Sequence, residues 1–371
     1  MTSALIGKGA YGMIFYPPIP SDSFKNKIKD DTLFVSKVFL NKKDALKEWK
    51  NSIIIKKFPN YLRYFIISMY HSKITAQSLS NNLSDNDKIQ YLKNKNQLFF
   101  YQHYKYHGGY TICKYFIYNF KKSQASHFEI IYLLENIFYA IDFLLKYNYV
   151  HQDISINNIL IHNLNSKIID LGFNLIHFNN FYNIPISKVL RNDNPLLSSE
   201  FKYYLSPPEY LLIHNCDLLN KLKESPNNNE YFDLIINKIK RNLNIPIHDT
   251  VLYRIYNKYI DNNIWNTDFK YYLNDIFKKV ELINAETLIQ YYKNISIHLK
   301  SDLYSLGIVM LWLDKYINLK YFKSNRNLNI HKEYIKLITG LLNPSPIHRI
   351  NITIAIYYIK KIKNFHSYGS Q

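Results

Sequence analysis

The periodicity of the apolar residues changes once along this chain, and that change limits the folds open to it. Up to about residue 106 they come in short runs of alternating or β-branched texture: LIGKGAYGMIFY, TLFVSKVFL, YFIISMYHSKI and QLFFYQHY. Runs of this kind between polar connectors predict strands, the first of them a strand, a glycine turn and a returning strand. Between the second and third lies KKDALKEWKNSIIIKKF, where Leu46, Trp49 and Ile53 recur at helical spacing. The polar stretch from about Thr75 to Asn96 predicts a long loop. From Ser126 the period becomes helical, in HFEIIYLLENIFYAIDFLLKYNYV and again in SDLYSLGIVMLWLDKYI from Ser301. The expectation is an α+β chain with a small antiparallel sheet and one helix in residues 1–106, and a larger helical part in 107–371. A length of 371 residues agrees with two lobes or one domain carrying a large insertion.

A formal charge of +19 would ordinarily suggest nucleic acid, an anionic surface or acidic substrates. Here the basic residues are dispersed and form no arm or long run. Lys, Asn, Ile and Tyr are abundant and Gly is scarce, the signature of AT-rich codons. No clear nucleic-acid site follows. Cys113 and Cys216 offer neither a disulfide framework nor a metal cluster, which fits a reducing compartment. FIISMY and LGIVMLWL are far too short to span a bilayer, and the N-terminus lacks a signal-peptide pattern. The expectation is a soluble, intracellular, cytoplasmic protein without a membrane span.

Several short signals follow one another along the chain. Gly7-Lys8-Gly9-Ala10-Tyr11-Gly12, between Ile6 and Ile14, can turn tightly and bring backbone N–H groups against phosphate oxygens. A strand follows it, which disfavours a dinucleotide-binding βαβ unit. Lys37 lies in the middle of an apolar strand, and a buried lysine requires a carboxylate or phosphate beside it; Glu48 and Asp44 are the nearby candidates. VHQDISINNILIHN carries His151, Asp153 and Asn158, and Ile168-Ile169-Asp170-Leu171-Gly172 ends an apolar strand in an aspartate. An aspartate there and an amide oxygen such as that of Asn158 are oxygen ligands of the kind magnesium takes. Ser206-Pro207-Pro208-Glu209, Asp302-Leu303-Tyr304-Ser305-Leu306-Gly307 and a distal Arg349 complete the series.

In this order the signals resemble those of eukaryotic-type protein kinases, from Leu5 to about Lys363. They match a Gly-rich loop, a strand lysine, a helix glutamate, an HxDxxxxN loop, DLG for DFG, PPE for APE, a DxxSxG helix and a late arginine. Of the 9 glycines, Gly7, Gly9, Gly12, Gly108, Gly109, Gly172 and Gly307 fall at or beside positions of that pattern. The resemblance implies a bilobal kinase-like fold, a β-rich N-lobe (1–106) and a helical C-lobe (107–371), with ATP and Mg2+ between them and an insertion at about 211–299. It implies that Asp153 orients the acceptor hydroxyl of a protein substrate, a serine or threonine, and takes its proton. Asn158 and Asp170 hold magnesium, and Lys37, positioned by Glu48, anchors phosphates. Ile6, Gly7, Lys8, Gly9 and Gly12 belong to the nucleotide loop, and Ile14 and Val35 cover the adenine. The adenine edge meets the backbone from Tyr104 to His107, Tyr104 and Tyr106 included. Glu209 with Arg349, and Asp302 beneath the catalytic loop, are implied to be structural.

The chain departs from the pattern in three places. Gln152 replaces the arginine that grips a phosphorylated activation segment, and Ser155 replaces a lysine that touches the transferring phosphate. The third departure is the long segment between Glu209 and Asp302, read as a peripheral expansion in a composition of this kind, with a docking surface as the alternative. Two function classes remain, an active protein kinase and a pseudokinase scaffold; a small-molecule kinase lacks counterparts for the PPE, the DxxSxG helix and Arg349. Retention of Lys37, Asp153, Asn158 and Asp170 together favours the enzyme.

Overall fold

The computed structural model describes residues 3–9, 12–20, 34–82, 98–105, 108–119, 125–172, 175–178, 207–213, 215–244, 262–314, 316 and 325–367. The chain is mixed α+β and divides into two compact units. One comprises Met1–Tyr110 with Leu160–Leu175, the other Thr111–Ile159 with Ile176–Gln371. The segment Leu160–Leu175, assigned to the helical part from sequence order, therefore groups with the sheet.

In the first unit β1 (Ala4–Gly9), β2 (Gly12–Tyr16), β3 (Phe34–Phe39), β4 (Ser68–Thr75) and β5 (Leu98–Lys105) form one antiparallel sheet in the order β1-β2-β3-β5-β4. The alternation of a strand sends its residues to two faces. One face, with Val38, Phe99 and Tyr101, packs with Met13, Phe15, Ile19 and Ile74 into an apolar cluster. That cluster also takes Ala76 and Leu79 of α2 (Ala76–Asn82), a helix where the polar sequence predicted only loop. Two apolar residues three apart are enough to dock a short helix, although its polar neighbours mask the signal. On the same face Ser36 is buried, its Oγ 3.0 Å from His103 Nδ1 and accepting from Ile19 N–H at 2.7 Å.

The other face carries Lys37, Phe39, Phe100, Gln102 and Tyr104, with Lys37 opposite Gln102 and Val35 opposite Tyr104. Here α1 (Lys42–Lys56) lies, started by Asn41, whose side chain accepts from Lys43 N–H at 2.8 Å. Its buried residues are Ala45, Glu48, Asn51, Ser52 and Ile55, whereas Ile53 is exposed. The Leu46–Trp49–Ile53 stripe is thus not the core-facing side. The sheet presents a lysine and a glutamine, so the helix answers with its polar face: Ser52 Oγ accepts from Ser68 N–H at 3.1 Å and Asn51 Nδ2 donates to Leu171 O at 2.7 Å.

In the second unit α3 (Ile112–Asn119) precedes α4 (His127–Lys146), which opens on a capping box between Ser126 and Glu129. The helices α5 (Pro208–Ile213), α6 (Cys216–Glu224), α7 (Asn229–Asn244), α8 (Asn262–Lys279) and α9 (Ala285–Asn294) follow. They lead to α10 (Ser301–Asp314), α11 (Asn325–Leu341) and α12 (Ile352–Ser367). α10 is buried on all sides, Trp312 alone being partly exposed. It packs against α11 and α4, and α12 packs against α4 and α11. No helix among the described residues is long and apolar enough to cross a membrane.

The described helices between Glu209 and Asp302 are not a peripheral decoration. Trp265, Phe269, Tyr272, Leu273 and Ile276 of α8 and Leu288, Tyr291 and Tyr292 of α9 are buried, and Tyr292 OH donates to Glu209 O at 2.8 Å. Asn343 Nδ2 donates to Asp268 Oδ2 at 2.8 Å, tying α8 to the loop before Arg349. The aromatic side chains recur at helical spacing, and such a stripe has to be buried. Replacing Phe269, fully buried at 0% exposure, by alanine should therefore destabilise the protein by about 3–5 kcal/mol. Urea unfolding of Phe269→Ala checks this; a loss under about 1 kcal/mol would return the segment to the periphery.

Candidate functional site

Within the first unit the strand lysine is the organising charge. Lys37 Nζ lies 2.7 Å from Glu48 Oε2 and 3.1 Å from Asp170 Oδ1. Of the two sequence candidates Glu48 is the partner, because it is buried on α1, whereas Asp44 in the first turn is only half-buried and lies near Lys47. Glu48 Oε1 accepts from Tyr104 OH. Asp170 follows the strand Asn165–Ile168, which is fixed by a parallel bridge from Ile168 to Phe65. Its φ of 62° is left-handed, a conformation that aspartate tolerates and that persists only where the surroundings impose it. Those surroundings are the Asn51 bond to Leu171 O and the fit of Gly172, where a Cβ would lie 2.6 Å from Glu48 Oε2. Any side chain at 172 would collide with the carboxylate.

Burial alone would lower the pKa of Lys37, but Glu48 and Asp170 outweigh it and hold the ammonium above its ordinary value. Burial, aided by Asp170, raises the Glu48 carboxyl, opposed chiefly by Lys37. Burial and Glu48 push Tyr104 well above its ordinary range, so it remains a donor. Both carboxylates bear on the same ammonium and favour its charged form.

The glycine hairpin is present as β1 and β2, with Gly7 opposite Ile14, Lys8 opposite Met13 and Gly9 opposite Gly12. Gly12 is required because a Cβ there would strike the Val38 carbonyl of β3. Ile6 and Lys8 are exposed, and Val35 is buried beside Tyr104. Ala10, Tyr11, Tyr106, His107 and Ser206 lie outside the described residues.

Within the second unit the loop after α4 is held by a buried carboxylate. Asp302 of α10 accepts from His151 N–H at 2.7 Å and from Gln152 N–H at 2.6 Å. His151 is buried and its Nδ1 accepts from Asp153 N–H at 3.2 Å. Asn158 Nδ2 donates to Asp153 Oδ2 at 2.8 Å and to Asp153 O at 3.0 Å, so the two sequence-predicted residues share one loop and hold each other. With its nitrogen committed to Asp153, Asn158 has its amide oxygen left for a cation. Gln152 adopts φ 64°, and both polar atoms of its side chain are buried without a hydrogen-bond partner among the described residues. A neutral amide cannot replace a guanidinium as a phosphate clamp. Ser155 is buried, and its carbonyl accepts from Asn158 N–H at 3.1 Å.

Glu209 and Arg349 form a bidentate pair at 2.7 and 2.8 Å with no exposure on either side chain. The Tyr304 ring lies 4.8 Å from the guanidinium carbon, and Arg349 Nε donates to Asn343 O at 3.0 Å. The sequence matches no protein-family model and no curated protein. The site therefore rests on its own geometry. Three of its members had no signal in the sequence: the Tyr104 hydroxyl, Asn51 as the hook for Leu171, and Asn343 beside Arg349. Each acts through a contact that only tertiary packing creates, although Glu48 and Asn51 do stand three apart on α1.

Two outcomes follow from this geometry. Removing Arg349 strands a buried carboxylate, so Arg349→Met should cost about 3–5 kcal/mol in chemical denaturation, and a cost below about 1 kcal/mol would show Glu209 to be solvated. Burial pushes Asp302 up to about 6 against its two amide donors. The folded chain then holds this proton more tightly than the unfolded chain. The stabilisation from Asp302 is full below the ordinary aspartate range and is lost as pH rises through 6. Asp302→Asn has no such titration, so between pH 4 and 7 parental melting temperatures should fall relative to those of the variant. A difference independent of pH would return Asp302 to an ordinary pKa.

Proposed function

We propose that this chain is an ATP- and magnesium-dependent protein kinase that transfers the γ-phosphate to a serine or threonine hydroxyl of a protein substrate. On this reading its two units are the lobes of a kinase-like fold. The observation that carries the reading is the buried lysine shared between Glu48 and Asp170, 2.7 and 3.1 Å away. A lysine placed so costs desolvation on folding and contributes little stability that an apolar residue would not, which argues for a task. Lys37 would hold phosphate oxygens, with Glu48 fixing its direction. Asp153, oriented by Asn158, would accept the hydroxyl proton of the substrate.

The donors also suit the metal. Among the described residues no three of His, Cys, Asp and Glu gather as a metal cage. An aspartate carboxylate and an asparagine amide oxygen are hard ligands that leave most positions to phosphate and water, as magnesium requires. Asp170 and Asn158 would hold the ion, and the ion would supply charge neutralisation at the phosphates. Ser155 and Gln152 bring no positive charge to this loop, so positioning weighs more heavily here than local cations.

The test is phosphate transfer from labelled ATP to generic protein acceptors. Asp153→Asn should lower kcat by about 10²–10⁴ while leaving ATP affinity nearly unchanged. Asp170→Ala should abolish the extra thermal stabilisation that magnesium adds to ATP. Equal thermal shifts with and without magnesium would remove the metal assignment, and a wild-type protein that binds ATP without transferring phosphate would make the chain a scaffold.

A further inference from the structure

The Lys37–Glu48 pair has a third member. Tyr104 stands on the same face of the sheet as Lys37, its backbone opposite Val35, and its hydroxyl reaches Glu48 Oε1 while Oε2 of the same carboxylate meets Lys37. The hydroxyl also lies 2.9 Å from Gln102 Oε1. A phenol has one proton, so at any moment it donates to one of these two oxygens. Both lead to α1: Glu48 belongs to that helix, and Gln102 Nε2 donates to Ala45 O one turn earlier.

We infer that Tyr104 is a positioning residue, whose hydroxyl fixes the Glu48 carboxylate in the orientation that presents Oε2 to Lys37. A glutamate side chain has three rotatable bonds, and one hydrogen bond to a lysine that also serves Asp170 does not hold it. A buried carboxylate with one oxygen unanswered is costly, and Tyr104 answers it. Glu48 Oε2 occupies the space that a Cβ at position 172 would need, 2.6 Å from where that Cβ would lie. Tyr104 is 8% exposed, so water does not replace the hydroxyl easily. The sequence placed Tyr104 among the nucleotide contacts through its backbone; the side chain has this separate role.

The catalytic consequence rests on the function proposed above, whereas the pairing itself does not, and the experiment separates the two. Tyr104→Phe keeps the ring and removes only the hydroxyl. In nucleotide-free protein, mass spectrometry would follow the acylation of Lys37 by an amine-reactive ester at one fixed pH. With Glu48 less firmly held, its ion pair with Lys37 no longer shields the amine, which should be acylated about tenfold faster than in wild type. In a Glu48→Ala background Tyr104→Phe should add nothing, since the carboxylate that links Tyr104 to Lys37 is already gone. Tyr104→Gln, which restores a donor without the ring, should recover part of the slow labelling. In the phosphotransfer assay Tyr104→Phe should lower kcat about tenfold, the size of one hydrogen bond to a charged group, with KM for ATP much less affected.

Equal labelling of wild type and Tyr104→Phe, or an undiminished effect in the Glu48→Ala background, overturns the inference. If wild type transfers no phosphate while the labelling rates separate as expected, the proposed function fails and the positioning role stands. If phosphate is transferred and neither labelling nor kcat responds to Tyr104→Phe, the reverse holds.

Discussion

A lysine ammonium buried in a β-strand has to be met by negative charge, and in the first unit that requirement organises the surrounding elements. Glu48 meets it from α1 and Asp170 from the segment after the strand Asn165–Ile168. Because the carboxylate must face the sheet, α1 docks through Glu48, Asn51 and Ser52 and leaves part of its apolar stripe outward. Polar docking is directional. An apolar helix face could slide by a residue at small cost, but a carboxylate, an amide and a hydroxyl each have one place where their partners are reached.

The second unit applies the same physics with the signs exchanged. Buried carboxylates from helices hold loops that have no regular hydrogen bonding of their own: Asp302 takes two loop amides, and Glu209 takes both arms of Arg349. The loop bearing Asp153 and Asn158 is therefore fixed from the helix behind it, and Asn158 then fixes Asp153. If the chain is the kinase proposed here, this is the rigidity that a reaction dependent on positioning needs. Tyr292 of α9 donates to the Glu209 carbonyl, and neither side chain of the ion pair is exposed, which makes the pair costly to break.

Much of this was readable in advance, for a definite reason. Strand and helix periods are local properties, so β1 to β5, α1, α4 and α10 could be placed from apolar spacing alone. The order of Lys37, Glu48, Asp153, Asn158, Asp170, Glu209, Asp302 and Arg349 was legible because each stands in a short pattern of its own. Less legible was which face of α1 would be buried. Leu46, Trp49 and Ile53 make the better apolar stripe, and only the presence of Lys37 on the facing strand reverses that preference. α2 was hidden by polar neighbours, and α8 and α9 were read as decoration although Trp265, Phe269, Tyr272 and Ile276 carry a helical period.

By itself, then, the sequence determined the two textures of the chain, the existence of most elements and the identity of the charged residues around which they are built, since these follow from local spacing and side-chain chemistry. The tertiary structure alone decided which charges meet. Glu48 was chosen over Asp44, Tyr104 turned its hydroxyl to that carboxylate, Asn51 hooked Leu171, and the segment before Asp302 became core. The reason is distance along the chain. Lys37 and Asp170, or Glu209 and Arg349, are brought together by the packing of whole elements, and no local preference records which partner a buried charge will find.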